Sequence, residues 1–461
     1  MRQWMVAAKK ADFYAIAEKF HVDPVVARII RNREVIGEKN IRIYLGGNLS
    51  DLSDPHQMKD MDRLVEILAQ KIRKQVHIRI IGDYDVDGVT SSQLFLTALR
   101  RVGAKVDVVI PHRIQDGYGL SLHLLQQAKE DGVDTILTCD NGIAAIDEIA
   151  WAKAQKMTVL VTDHHAVPFE EHEGRRTEKK SLADAVVNPH QQDCGYPYKE
   201  LCGAGVAWNV IRVLYENYDM DKREAEDLLD FVAMATVCDV MSLTGENRIL
   251  VKEGLKRIRH TKNIGLQALM QACNVQPENI SAYHFGYVLG PCVNATGRLD
   301  TARHALRLFE TGQETEAEEI ARDLVDLNQE RKELTLQGVE MAKKLCEEGG
   351  YENDPVLVLF LPDVHESIAG LIAGRIREMY NRPVFVLTRG EEGVKGSGRS
   401  TENYSMYENM CGCAELFTKF GGHPMAAGLS LPEENVEKFR RKINENCPLT
   451  VEEVCPDIHI D

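Results

Sequence analysis

The chain has 461 residues, of which 44% are hydrophobic and 27% charged, and it carries a formal net charge of −16. That length exceeds one ordinary core, so two or three domains are expected, with the composition of a globular protein in water. The acidic balance argues against a simple nucleic-acid coat protein, and with no run of eighteen apolar residues nothing is expected to span a membrane.

Charge is uneven along the chain. Residues 1–113 hold 19 Lys and Arg against 14 Asp and Glu, and three of those acids are Asp83, Asp85 and Asp87. Bound cations would neutralise that trio, which leaves room for a locally basic face. The N-terminus is charged within ten residues and has no apolar signal core, so a cytoplasmic location is expected. The 11 cysteines are scattered without a CxxC pair. Apolar neighbours at Cys139, Cys238 and Cys292 predict buried thiols in a reducing compartment.

Residues 1–55 read as a helical lead-in. From about residue 60 an alternation sets in: helix MDRLVEILAQKIRK, strand HIRII, helix SSQLFLTALRRV, strand KVDVVIP, helix SLHLLQQAKE, strand TILTC, helix AIDEIAWAKAQ and strand TVLVT. A polar insertion, EEHEGRRTEKK, precedes a short strand in DAVVNP. Short apolar strands separated by amphipathic helices predict a parallel sheet with helices on both faces, and such sheets bind ligands beyond the carboxyl ends of their strands. Residues 222–280 read as helical, and 313–347 as one long connecting helix. A second, smaller α/β unit begins at PVLVLFL and continues through SIAGLIAGRI, PVFVLT, VKGSGRS and AAGLSL.

Four clusters of chemistry-bearing residues follow predicted strands. They are Asp83, Asp85 and Asp87 in DYDVDG, Asp140 in CDNG, Asp163-His164-His165, and Asp239 in ATVCDVMSL. Three of the four belong to the proposed sheet and should converge on one edge. Carboxylates suit hard cations such as Mg²⁺, and imidazole shifts the preference toward Mn²⁺. Two such ions ~4 Å apart can bridge a phosphate and lower the pKa of a water. DxDxDG also opens an EF-hand loop, but that loop needs a Glu at its twelfth position, where this chain has Leu94. As a plain surface turn, three acids in five residues would repel one another. Asp239 lies among apolar residues, where an unpaired carboxylate is costly, so a ligand role is the simpler account.

The second unit offers a phosphate or nucleic-acid clamp. Its members are His365 at a helix opening, Ser397 and Arg399 in GSGRS, and Gly421, Gly422 and His423 in GGHPMAAGL. Glycine-rich backbone donates N–H groups to phosphate oxygens, and arginine adds a bidentate contact. Arg298, in NATGRLD, joins this set.

DYDVDG, HRIQDGYGL, LTCDNG, VTDHH, VVNPH, LCGAGVAW, ATVCDV, NATGRLD and GGHPMAAGL, in order over roughly residues 75–430, resemble the DHH phosphoesterase superfamily with its DHHA1 partner domain. Within it the pattern is most similar to the single-strand-specific 5′→3′ DNA exonucleases. The resemblance implies a parallel-sheet DHH domain joined by a long helix to a smaller α/β DHHA1 domain, with two Mn²⁺ or Mg²⁺ ions in the cleft. The implied boundaries are 1–55 lead-in, 56–245 DHH, 246–350 connector, 351–447 DHHA1 and 448–461 tail.

The same resemblance implies Asp83, Asp85, Asp87, Asp140, His164 and Asp239 as metal ligands, and His165 with Asp83 in the chemistry. Arg298, His365, Ser397, Arg399, Gly421, Gly422 and His423 would hold the strand. The expected activity is release of 5′-mononucleotides from single-stranded DNA, in DNA repair and recombination. Expected associates are a single-strand-binding protein or a helicase, with the chain itself a monomer. The alternatives are a phosphodiesterase or phosphatase for short RNA, 3′-phosphoadenosine phosphate or cyclic dinucleotides, and an inactive structural subunit.

Two departures stand out. Cys292 occupies a position often held by arginine in the family, and the chain stops at VCPDIHID, where relatives lead into an OB-fold. A grip on DNA weaker than theirs is expected.

Overall fold

The computed structural model describes residues 3–460 apart from 8, 114–115, 118, 173–174, 352–353, 391–392 and 450–456. Most of the tail expected at 448–461, and three positions of HRIQDGYGL, therefore lie outside the described residues. Contacts divide the chain into two units, Arg33–Asn328 and the combination of Met1–Asn32 with Gln329–Asp461. A strand β1 (Gln3–Val6) and helices Phe13–Phe20 and Pro24–Asn32 open the chain.

The Arg33–Asn328 unit is built on β2 (Ile78–Ile81), β3 (Val106–Val109), β4 (Thr135–Cys139) and β5 (Thr158–Thr162). A hairpin, β6 (Phe169–His172) with β7 (Arg175–Glu178), occupies the polar insertion and leads to β8 (Ala185–Val187). The sheet order is β3-β2-β4-β5-β8, all parallel. Alternate residues serve opposite faces. Ile80, Leu137, Cys139 and Leu160 join a core with the helices Met61–Arg73, Val86–Arg101, Gly203–Asn217 and Leu229–Cys238. Ile81, Ile136, Val159 and Val161 pack instead with helices Leu122–Glu130 and Ile146–Ala154. Strand order reverses between β2 and β4, because β3 lies on one side of β2 and β4 on the other. Such a switch leaves a crevice at the carboxyl ends of the two strands.

The long helix Glu314–Glu348 runs through both units. In the second unit come β9 (Leu357–Phe360), helix Ala369–Tyr380, β10 (Val384–Gly390), β11 (Gly393–Arg399), β12 (Lys419–Gly422) and β13 (Ala426–Leu431). Their sheet order is β12-β13-β11-β10-β9, with only β9 and β10 parallel. A final strand, β14 (Asp457–Ile460), pairs in parallel with β1. The sequence pattern had not suggested β12 or the β1–β14 pair. No helix among the described residues is long and apolar enough to cross a membrane.

Candidate metal centre

The three central strands of the parallel sheet deliver their acids side by side. Asp83 follows β2, Asp140 follows β4, and Asp163, His164 and His165 follow β5. The acidic turn is not wholly a turn. Asp85 is the N-cap of helix Val86–Arg101, its Oδ1 accepting from Gly88 N–H at 3.0 Å, and Asp87 lies in the first helical turn. That helix is buried nearly all round, which suits its central place among other helices. Asp239 departs from the sequence reading: it caps the C-terminus of helix Leu229–Cys238, not the end of a strand. The apolar run before it, LDFVAMATVC, is buried enough to resemble a strand but continues a helical segment.

These side chains meet. His164 Nε2 lies 3.1 Å from Asp140 Oδ1, 3.6 Å from Asp239 Oδ2 and 3.7 Å from Asp87 Oδ2. It forms no hydrogen bond, and neither do Asp83 Oδ2 or Asp239 Oδ2, although all three atoms are buried. Three donor groups are each within 4.8 Å of one another: Asp83, Asp85 and Asp140; Asp87, His164 and Asp239; and Asp140, His164 and His165. Burial, reinforced by the neighbouring carboxylates, pushes Asp83 and Asp140 well above the usual range, raises Asp85, and lifts Asp239 to about 8. Burial also lowers His164, keeping a ring nitrogen available as a ligand. Unpartnered oxygens and an unprotonated imidazole, gathered in a buried and mutually repelling set, fit divalent cations of the Mg²⁺ or Mn²⁺ type.

Asp163 does a different job from the rest of the trio. Its carboxylate accepts from the backbone N–H groups of Ile143, His164 and His165 and from the His165 ring, the last at 2.7 Å. It orients His165 and belongs to none of the three donor groups. Burial opposes charge on His165, but the Asp163 bond and the surrounding acids raise its pKa to about 9.

Several positioning residues carried no role in the sequence reading. Asp87 accepts from Gly203 N–H at 2.6 Å and Ala204 N–H at 2.7 Å, the first turn of helix Gly203–Asn217. Gly203 is required there, because a Cβ would lie 2.6 Å from Asp140 Cβ. Asp140 itself has φ +61, the left-handed region, in which non-glycine backbone is strained. Asn141 donates to Ile81 O and Cys139 O, tying the ends of β2 and β4 together. Asn188 holds the His165 carbonyl at 2.9 Å. Asn294 Oδ1 accepts from Val86 N–H at 3.2 Å, and Gly297 packs against the Tyr84 carbonyl, so helix Gly290–Leu299 braces the acidic turn. Arg113 lies over the Tyr84 ring at 4.8 Å, and the charge of Arg298 also reaches that tyrosine. Each of these residues falls in a stretch that carried the family resemblance, but backbone donors and bracing amides have no residue signature of their own. Cys292 is buried, its Sγ 3.8 Å from that of Cys273 and donating to Val288 O, so this position packs in the interior.

In the second unit, Arg399 Nη1 donates to Gly398 O at 2.8 Å, and its guanidinium lies against Gly370 in the first turn of helix Ala369–Tyr380. His365 caps the short turn Glu366–Ile368 that opens this helix, accepting from Ser367 N–H. Ser397 pairs with Gly428, and Gly428 with Gly421, forming a row across three strands. A Cβ on Gly421 or Gly428 would meet nothing within 4 Å, so the row is an open shelf. Gly422 and His423 are exposed where β12 turns into β13.

A model of the DHH family, N-terminal domain, matches residues 77–236, and one of the DHHA1 domain matches 353–447. The single-stranded-DNA-specific exonuclease RecJ of Haemophilus influenzae is 36% identical over 440 residues, covering 92% of this chain and 74% of that protein. RecJ of Bacillus subtilis is 34% identical over 97% of this chain, which spans 55% of that relative's length. RecJ from Thermus thermophilus in complex with Mn²⁺ has a similar structure, with a TM-score of 0.80 at 28% identity over 99% of this chain and 64% of that one. The same protein in complex with Mg²⁺ gives 0.76.

Proposed function

Since this chain belongs to the RecJ family of DHH–DHHA1 proteins, we propose that it hydrolyses single-stranded DNA from the 5′ end, releasing 5′-mononucleotides. The observation that carries the reading is the buried cluster at the β2, β4 and β5 ends, where carboxylate and imidazole groups converge within 4.8 Å and Asp83 Oδ2, His164 Nε2 and Asp239 Oδ2 make no hydrogen bond. Asp83, Asp85 and Asp140 would hold one divalent cation, and Asp87, His164 and Asp239 the other. Such a pair, when bound, activates water and offsets charge on a phosphate.

The chain's own residues supply the rest. His165, held by Asp163, carries a proton it can give to the departing 3′ oxygen. Arg298 and Arg113 place positive charge beside the acidic turn, where a 5′ phosphate would be drawn. Arg399, Ser397, His365, Gly421, Gly422 and His423 form the phosphate clamp of the DHHA1 part, which we delimit at 351–447, with the DHH part at 56–245. We place the protein in the cytoplasm as a monomer. A single-strand-binding protein or a helicase would present the strand, in repair and recombination.

The test is a substrate panel with Mn²⁺: 5′-labelled single-stranded DNA, duplex DNA, short RNA and a cyclic dinucleotide. Mononucleotide release from the 5′ end of single strands is expected. Preference for short RNA, with long DNA left intact, would move the chain to the short-substrate branch.

A further inference from the structure

The helical turn Ala282–His284, the π-turn Phe285–Leu289 and helix Gly290–Leu299 run on without a break. One side of this rod is buried through Phe285, Leu289, Cys292 and Val293. The other carries Tyr283, Tyr287, Pro291, Asn294 and Arg298 at spacings of three and four, which places them along one face. Tyr283 and Tyr287 are 62% and 73% exposed, and their rings stack 5.2 Å apart at 24°. An exposed aromatic pair on a rigid helix needs an explanation. At the far end of the same face stand Asn294, which holds Val86 of the acidic turn, and Arg298, beside Tyr84.

The tyrosine end is anchored to the metal centre as well. Cys238 Sγ donates to Phe285 O at 3.3 Å, and the residue after Cys238 is Asp239. π-turns cost hydrogen-bond geometry and recur at functional sites. From Tyr287 to Arg298 the rod covers ~16 Å at the usual helical rise.

We infer that Tyr283 and Tyr287 form a base-stacking platform, and that the single strand lies along this helical face with its 5′ phosphate at the Arg298 end. Every base has a π-face, so stacking grips a strand without reading its sequence, as an exonuclease requires. The platform keeps its grip as nucleotides leave, since it touches bases downstream of the scissile bond. This inference rests on the nuclease reading but assigns residues that reading does not use.

The test is the double variant Tyr283→Ala/Tyr287→Ala, with Tyr283→Phe/Tyr287→Phe as the rescue. KM is measured on a long single strand and kcat on a dinucleotide, which is too short to reach the platform. The alanine variant should raise KM for the long strand roughly tenfold or more, as expected for lost base stacking. It should leave dinucleotide turnover unchanged, and the phenylalanine variant should behave as the parent. An unchanged KM overturns the platform, as does equal loss on both substrates, or strand binding that survives while binding of a protein partner is lost. If the parent chain cuts no DNA at all, the nuclease reading has failed. Equilibrium binding of fluorescent oligothymidylate by the two variants then decides the platform separately.

Discussion

Gly203→Ala is a one-methyl change at the point where the candidate metal centre is most tightly built. A Cβ there would stand 2.6 Å from Asp140 Cβ, and 2.9 Å from both its Cα and Oδ1, where ordinary contact begins at 3.4 Å. Asp140 or the first turn of the helix must therefore move by about 0.8 Å. Neither is a flexible tip: Asp140 is in strained backbone at the end of β4, and the helix turn donates two N–H groups to Asp87. Overpacking of this kind costs roughly 1–3 kcal/mol of stability. Its effect on turnover should be larger, because moving a ligand by ~1 Å can cost on the order of a hundredfold in rate. The assay pairs kcat/KM on labelled single-stranded DNA at saturating Mn²⁺ with a urea unfolding midpoint. The expected result is a folded chain with kcat/KM down by roughly two orders of magnitude. Parental kcat/KM would refute the claim that this helix turn holds Asp87 and Asp140 in register.

Asp140→Ala should abolish turnover and, by relieving repulsion among buried acids, leave the metal-free chain at least as stable as the parent by thermal melting. It should also lose the share of the Mn²⁺-induced rise in Tm that its own ion supplies, about 2.7 kcal/mol per ion at a hundredfold excess over Kd. Arg399→Ala should weaken strand binding and reduce the slope of log affinity against log salt by about one, as measured by fluorescence anisotropy. Asp230 tests electrostatics away from the site. Burial pushes its carboxyl from 3.8 to about 6, so the folded chain keeps a proton that the unfolded chain releases. Stability should then fall as pH rises through that interval and stay low above it, by roughly 3 kcal/mol. Asp230→Asn should remove the loss, matching the parent in acid and exceeding it in urea titrations at neutral pH.

Hydrophobic periodicity revealed most of the parallel sheet, because β2, β4 and β5 are short, apolar and separated by helices. The acids at their ends were visible for the same reason, since a strand end on such a sheet points to one edge. Asp239 was recognisable as a candidate ligand but not as a helix cap: its apolar context looks alike in a buried helix and a buried strand. Gly203, Ala204 and Asn294 were invisible as positioning groups, because what matters is a backbone N–H or an amide brought in from another part of the chain. The β1–β14 pair joins the two ends of the chain, a separation no local pattern reports.

The central claim is that this cluster is a two-cation site. Counting Mn²⁺ bound per chain at equilibrium, in the parent and in Asp239→Ala, tests it most directly. Two ions in the parent and one fewer in the variant are predicted; a parent that binds none, or a variant that keeps the full complement, would contradict it.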